Sequence, residues 1–153
     1  MIKLFKIFIV LFAILHTSNC LACTCIGKSK IKHEIRASDL VFSGTVISKE
    51  IVVVPEEGVD KLFWFHYAKY TIAVDTKYKG AAQDTIVINT GIGKGSCGFK
   101  FEIGERYIIY ANYTTEYSLK ETELGTNICN RTMPYNEDED NKIRKYKKLL
   151  SKS

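Results

Sequence analysis

The sequence predicts a small, closed or nearly closed β-barrel that carries a terminal helix. Three observations predict it. About five runs rich in β-branched and aromatic residues are separated by turn signals. A charged segment with helical order ends the chain. No internal repeat and no Ser/Gly-rich linker divides the 153 residues into a second domain.

The elements follow in order. Lys3 and Lys6 form a basic start, and Ile7 to Leu15 are uninterrupted apolar residues. That run is short for a bilayer span. Cys20-Leu21-Ala22 puts small side chains at −3 and −1 of a cut after Ala22, so residues 1–22 read as an export signal. A lipoprotein cut is the competing reading. It fits less well, because Leu21 sits at −2 rather than −3. Either cut makes Cys23 the first mature residue.

Ile31 to Ala37 places Ile31 and Ile35 at i,i+4, as a short helix requires. Leu40 to Ser48 reads as a strand, with Gly44 marking a bulge or bend. Glu50 to Lys61, around Pro55 to Gly58, reads as a hairpin tip. Phe63 to Lys77 is a long strand ended by Tyr78-Lys79-Gly80, and Thr85 to Asn89 is another. Thr90 to Gly98 is a glycine-rich loop, and Phe101 to Arg106 is a turn. Tyr107 to Tyr113 is a strong strand, and Ser118 to Thr122 a last short one. From Asp138 to Leu150, acidic residues come first and basic ones last, which suits a helix dipole. Ile143, Tyr146 and Leu150 form the face that would meet the barrel.

Composition excludes some functions. The mature chain of 131 residues has 20 basic and 17 acidic residues, a charge of +3. That mild excess does not point to nucleic acid. Gly93-x-Gly95-x-x-Gly98 matches a dinucleotide fingerprint in letters only, since no βαβ unit surrounds it. His33-Glu34 lacks the second histidine of a zinc protease helix, because position 37 is Ala. Phe63, Trp64 and Phe65 read as strand residues. Asn112 and Asn130 each begin a glycosylation sequon.

Cysteine carries the strongest signal. Cys23, Cys25, Cys97 and Cys129 remain after the cut. Free, Cys23 and Cys25 could bind a soft metal or exchange disulfides. Export and the even count favour two disulfides instead, with three pairings open.

The ordered pieces resemble a known family. They are Cys23-Thr24-Cys25; Ser38 to Val46; Tyr78-Lys79-Gly80; Ser96-Cys97-Gly98; Phe101-x-x-Gly104-x-x-Tyr107; and Cys129 to Pro134 before a terminal helix. Together they resemble the N-terminal domain of the tissue inhibitors of metalloproteinases, within the netrin-like modules. The resemblance spans residues 23–153 and implies an OB-fold-like five-stranded β-barrel with a short N-terminal helix, a C-terminal helix and two disulfides. It implies the pairing Cys23–Cys97 and Cys25–Cys129. Four mature cysteines leave no room for the third disulfide of the family's vertebrate members.

The resemblance also implies a function without enzyme activity or a cofactor of its own. The α-amine and carbonyl of Cys23 would chelate the zinc of a partner metalloproteinase, in the complex only. Thr24 would enter the protease's specificity pocket. Cys25 and a second ridge holding Gly95, Ser96 and Cys97 would complete the wedge. The partner would be a zinc metalloproteinase, met outside the cell, or in the periplasm of a diderm host. After signal cleavage the protein would not be integral to a membrane. An extracellular binding module without inhibitory activity is the alternative from another class. Thiol or metal handling by free Cys23 and Cys25 is a third.

Overall fold

The computed structural model describes residues 23, 25, 27, 29–55, 57–61, 64–80, 83–92, 96–117 and 122–150, apart from the side chains of Leu149 and Leu150. The elements are α1 (Ile31–Ala37), β1 (Leu40–Val54), β2 (Phe65–Lys79), β3 (Thr85–Gly91), β4 (Arg106–Thr114), β5 (Glu123–Gly125), β6 (Met133–Pro134) and α2 (Glu137–Leu150). The signal segment, Thr24, residues 93–95 and most of the expected strand at Ser118 to Thr122 lie outside the described residues.

Five strands close a ring in the order β1-β2-β3-β5-β4, with β4 returning to β1. The β1–β4 pairing is antiparallel, from Leu40 opposite Ala111 to Thr45 opposite Arg106. The seam between β3 and β5 is parallel, through Asn89 and Gly125. This is the mainly β, closed barrel that the sequence predicts, in the OB-like form that the resemblance implies. β6 adds to β4 beside Tyr107 and Ile108.

Period-two alternation explains the two cores. Phe42 on β1 and Tyr107 and Ile109 on β4 point into the barrel, with Tyr70, Ile72, Ile86, Ile88 and Phe101. Their neighbours Val41, Ile108 and Tyr110 point out, where Ile35 of α1 and Ile143 and Tyr146 of α2 cover them. Both faces of β1 and β4 are therefore buried there, which is why Leu40 to Phe42 and Tyr107 to Ala111 read as continuous apolar runs. Ile143 and Tyr146 do face the barrel as expected. The side chain of Leu150 lies outside the described residues.

Several boundaries differ from the sequence reading. β1 runs on to Val54, and β2 spans Phe65–Lys79 and includes Tyr78 and Lys79. The extra length is a hairpin whose backbone ladder pairs Ile51 with Ala68 and Val53 with His66. Ile51 and Val53 are exposed there, so ladder hydrogen bonds hold the strand where burial does not. Trp64 lies in the turn, donating Nε1–H to the Val59 carbonyl at 3.0 Å. The last strand of the ring is Glu123–Gly125, and Thr122 lies just outside it. Gly44 is the expected irregularity. The β1–β2 register shifts beside it, and a Cβ there would lie 2.4 Å from the Ala73 carbonyl oxygen.

Asn136 starts α2. Its Oδ1 accepts from the amides of Asp138 and Glu139 at 2.9 and 3.1 Å, the role of an N-cap.

Candidate functional site: the edge that holds the N-terminal segment

Two disulfides fasten the N-terminal segment to the barrel. Cys23 joins Cys97 with Cα atoms 5.4 Å apart, and Cys25 joins Cys129 with Cα atoms 5.2 Å apart. This is the pairing that the resemblance implies. All four cysteines are oxidised, so the reading with free thiols does not hold. Among the described residues no group of three or more His, Cys, Asp and Glu could hold a metal ion.

The two receiving loops touch each other. The Ile128 amide donates to the Cys97 carbonyl at 2.9 Å, and Gly98 forms an isolated bridge with Asn127. Cys23, Cys25, Ser96, Cys97 and Ile128 thus share one edge. Cys23, Cys25, Ser96 and Cys97 are half-buried, while Cys129 and Ile128 are exposed. Thr24 and Gly95 belong to the same segments but lie outside the described residues.

The loop carrying Cys97 is set by backbone crowding. Cys97 has φ 49°, a conformation that L residues rarely adopt. Directly after it, Gly98 passes so close to β3 that a Cβ would lie 1.7 Å from the Gly91 carbonyl oxygen. Gly91 in turn could carry no Cβ without meeting the Ser96 carbonyl oxygen at 2.6 Å. The Phe99 amide then donates to Thr90 Oγ1 at 2.7 Å, returning the chain to the barrel.

The loop carrying Cys129 is set by side chains. Asn127 Oδ1 accepts from the amides of Cys129 and Asn130 at 2.9 and 3.2 Å. Asn130 Oδ1 returns the favour to the Asn127 amide at 2.9 Å. Thr126 and Thr132, both buried, link their hydroxyls at 2.8 Å beside the Tyr110 carbonyl.

Arg131 ties this loop to three other parts of the molecule. Nη1 donates to the Ser29 carbonyl at 2.8 Å, just beyond the cysteine segment. Nε and Nη2 form a two-pronged pair with the Glu139 carboxylate of α2, and Nη2 lies 2.7 Å from Oε2. Its backbone amide donates to Glu34 Oε1 at 3.3 Å, and the Ser29 hydroxyl donates to Glu34 Oε2. The Tyr110 hydroxyl completes the set by donating to Glu139 Oε1 at 2.9 Å.

These contacts move the titrations. Burial alone would raise the Glu139 carboxyl, but the hydrogen bonds from Arg131 and Tyr110 and the Arg131 charge outweigh it, holding the carboxyl below its ordinary value. Burial first, and then the charge of Glu139, push the Tyr110 phenol upward. Asp140 repeats the pattern one residue on. Burial raises it, while hydrogen bonds from Tyr78, Arg144 and Tyr135 and the Arg144 charge bring it below its ordinary value.

Sequence reasoning found the cysteines but missed Ile128 and the Arg131–Glu139 pair. The signal for Ile128 was its place beside Cys129. Glu139 and Asp140 read as ordinary acidic residues of a first helical turn; their tyrosine partners Tyr110 and Tyr78 are distant in sequence, and Arg131 precedes the helix, outside any helical spacing to Glu139.

The described structure thus staples an N-terminal segment to two adjoining loops of a five-stranded barrel. The family model described as Tissue inhibitor of metalloproteinase matches residues 21–148. The chain belongs to that family. No curated protein matches the chain. Membership makes metalloproteinases its general class of target and places it among inhibitors, in a family that is generally extracellular. No helix among the described residues is long and apolar enough to cross a membrane.

Proposed function

We propose that the chain is cut after Ala22, is exported, and inhibits zinc metalloproteinases through the amine and carbonyl of Cys23. The domain proper then begins at Cys23. The observation that carries this reading is the double tether of Cys23 and Cys25 to two loops that are themselves hydrogen-bonded.

A catalytic zinc keeps one position open, normally filled by water. A free α-amine has a pKa of about 7.7–8.0, so a useful fraction is neutral near pH 7 and can donate its lone pair. The Cys23 carbonyl oxygen supplies the second donor. Thr24 then fills the protease's specificity pocket, and Gly95, Ser96 and Cys97 give the second ridge. A segment already fixed by two bridges loses little conformational freedom on docking, which favours affinity. The zinc belongs to the protease.

The test compares mature protein, protein with one extra N-terminal alanine, and N-acetylated protein against a panel of metalloproteinases. The extended and acetylated forms should fold normally and lose at least about a hundredfold in inhibition, since the zinc-donating lone pair is displaced or gone. A Thr24→Gly variant should weaken inhibition and reorder the panel, because pocket filling discriminates between proteases. Full inhibition by the acetylated form would sink the chelation mechanism. No inhibition by correctly processed protein would favour an extracellular binding module.

A further inference from the structure

A groove of about 250 Å³ opens between α1, the end of β2 and α2. Ile35, Tyr78, Ile143 and Tyr146 form its walls, each at least nine-tenths buried. Arg36, Lys79 and Lys147 also line it, and among the described residues no carboxylate does. None of these residues belongs to the cysteine edge.

The three cations differ in what they already do. Lys79 Nζ donates to the carbonyls of Ile35, Arg36 and Ser38 at 2.9, 3.1 and 2.6 Å. That offsets the partial negative charge at the end of α1. Lys147 Nζ reaches the Lys77 carbonyl only at 3.5 Å, the limit for a hydrogen bond. Arg36 and Lys147 are exposed. The buried carboxylate that touches the lining residue Tyr78, Asp140, is taken by Arg144, Tyr78 and Tyr135. The mouth of the groove is therefore net positive while its walls are apolar. The Tyr146 hydroxyl is buried there without a hydrogen-bond partner, an uncommon state for a polar group.

We infer that this groove binds a single aliphatic chain bearing an anionic head, with the chain against Ile35, Tyr78, Ile143 and Tyr146 and the head at Arg36 and Lys147. An extended anionic polymer would use the cations and leave the walls unused. A neutral hydrocarbon would use only the walls. The volume lies below the roughly 300–1,000 Å³ of drug-sized sites, which favours one unbranched chain.

Calorimetry on the mature, disulfide-intact protein tests this with hexanoate, octanoate and decanoate below their micellar concentrations. Affinity should rise about fourfold per added methylene, as burial of apolar surface requires. Decanol should bind at least about tenfold more weakly than decanoate, and Arg36→Ala/Lys147→Ala should abolish that preference. Both substituted side chains are exposed, so unfolding temperature serves as the folding control. Amide and side-chain shifts of Ile143 and Tyr146 in NMR should locate the ligand in the groove. Vesicles of phosphatidylcholine with phosphatidylglycerol separate the sources of the chain. Vesicle binding that decanoate displaces assigns a lipid source, and decanoate binding without vesicle binding assigns a free fatty acid. Four results would overturn the inference: no decanoate binding at about 1 mM, equal binding of decanol, vesicle binding that decanoate does not displace, or self-association through this face.

Discussion

The two loops that receive the N-terminal cysteines are neighbours, yet different forces hold them. Around Cys129, side chains do the work: Asn127 and Asn130 cap each other's amides, and Arg131 reaches Ser29, Glu34 and Glu139. Around Cys97, backbone crowding does it, with Gly98 lying against Gly91 and Cys97 in a left-handed conformation. The difference separates two jobs. The Cys129 side anchors the segment to both helices and the barrel. The Cys97 side fixes where Cys23 sits.

The largest effect should come from cutting the bridges one at a time. They close separations of 74 and 104 residues. Chain entropy gives each about 4 to 5 kcal/mol, with a difference of only about 0.3 kcal/mol between them. Cys23→Ser/Cys97→Ser and Cys25→Ser/Cys129→Ser should therefore lose similar stability in denaturant unfolding. Their inhibition should diverge. Without Cys25–Cys129, Arg131 still holds Ser29, so about a tenfold loss is expected. Without Cys23–Cys97, no comparable contact among the described residues holds Cys23, and the loss should exceed about a hundredfold. Equal losses of inhibition would erase the proposed division of labour.

Next comes the ion pair behind the Cys129 loop. Glu139→Gln keeps the shape and removes the charge. With Arg131 left largely buried and without its counter-charge, the expected cost is about 3 kcal/mol. The pH dependence sharpens this. Glu139 has a folded pKa below its ordinary value of 4.5. Its contribution is thus present above the ordinary carboxylate range and is lost as pH falls through the depressed folded value. Wild-type stability should drop on acidification below about pH 4.5 more steeply than that of Glu139→Gln. Asp140 and Glu102 are shifted in the same direction and contribute to the slope that remains. Parallel profiles would show that the pair does not anchor this side.

Much of the barrel was legible in the sequence because it rests on local pattern. α1 has the predicted bounds, and Gly44 sits at a register shift, because a bulge at glycine is a local event. The β1–β2 hairpin was underread because residues 49–54 carry exposed Ile51 and Val53 that satisfy no burial pattern. β6 was missed because two residues, one a proline, carry no strand signal. The disulfide pairing came from the family resemblance, since spacing leaves three choices open. The Arg131–Glu139–Tyr110 set was invisible for a physical reason. Charged side chains show no periodicity that reveals a partner, and their burial appears only once α2 folds back onto β4.

A smaller effect tests the crowded side. Gly98→Ala places a methyl carbon where the Gly91 carbonyl stands. Backbone must shift to admit it, at a cost of roughly 1–3 kcal/mol. Because the shift falls beside Cys97, inhibition should fall by more than the stability loss explains. Amide exchange should rise around Ser96 to Phe99 and stay unchanged around Arg131. Unaltered exchange near Cys97 would mean that the crossing of glycines does not set the ridge.

The smallest effect comes from Asn127, where the two loops meet. Its Oδ1 serves the amides of Cys129 and Asn130, while its backbone pairs with Gly98. Asn127→Ala removes the side-chain acceptor and leaves the backbone bridge. Cys129 is exposed, so water can replace part of what its amide loses. The expected cost is therefore about 1 kcal/mol, the usual net value of a hydrogen bond. The loosening should stay on the Cys129 side, since Ile128 still donates its amide to the Cys97 carbonyl. Inhibition should change less than about threefold, because no contact that fixes Cys23 has been touched. A loss as large as that of Gly98→Ala would show that the two loops act as one unit.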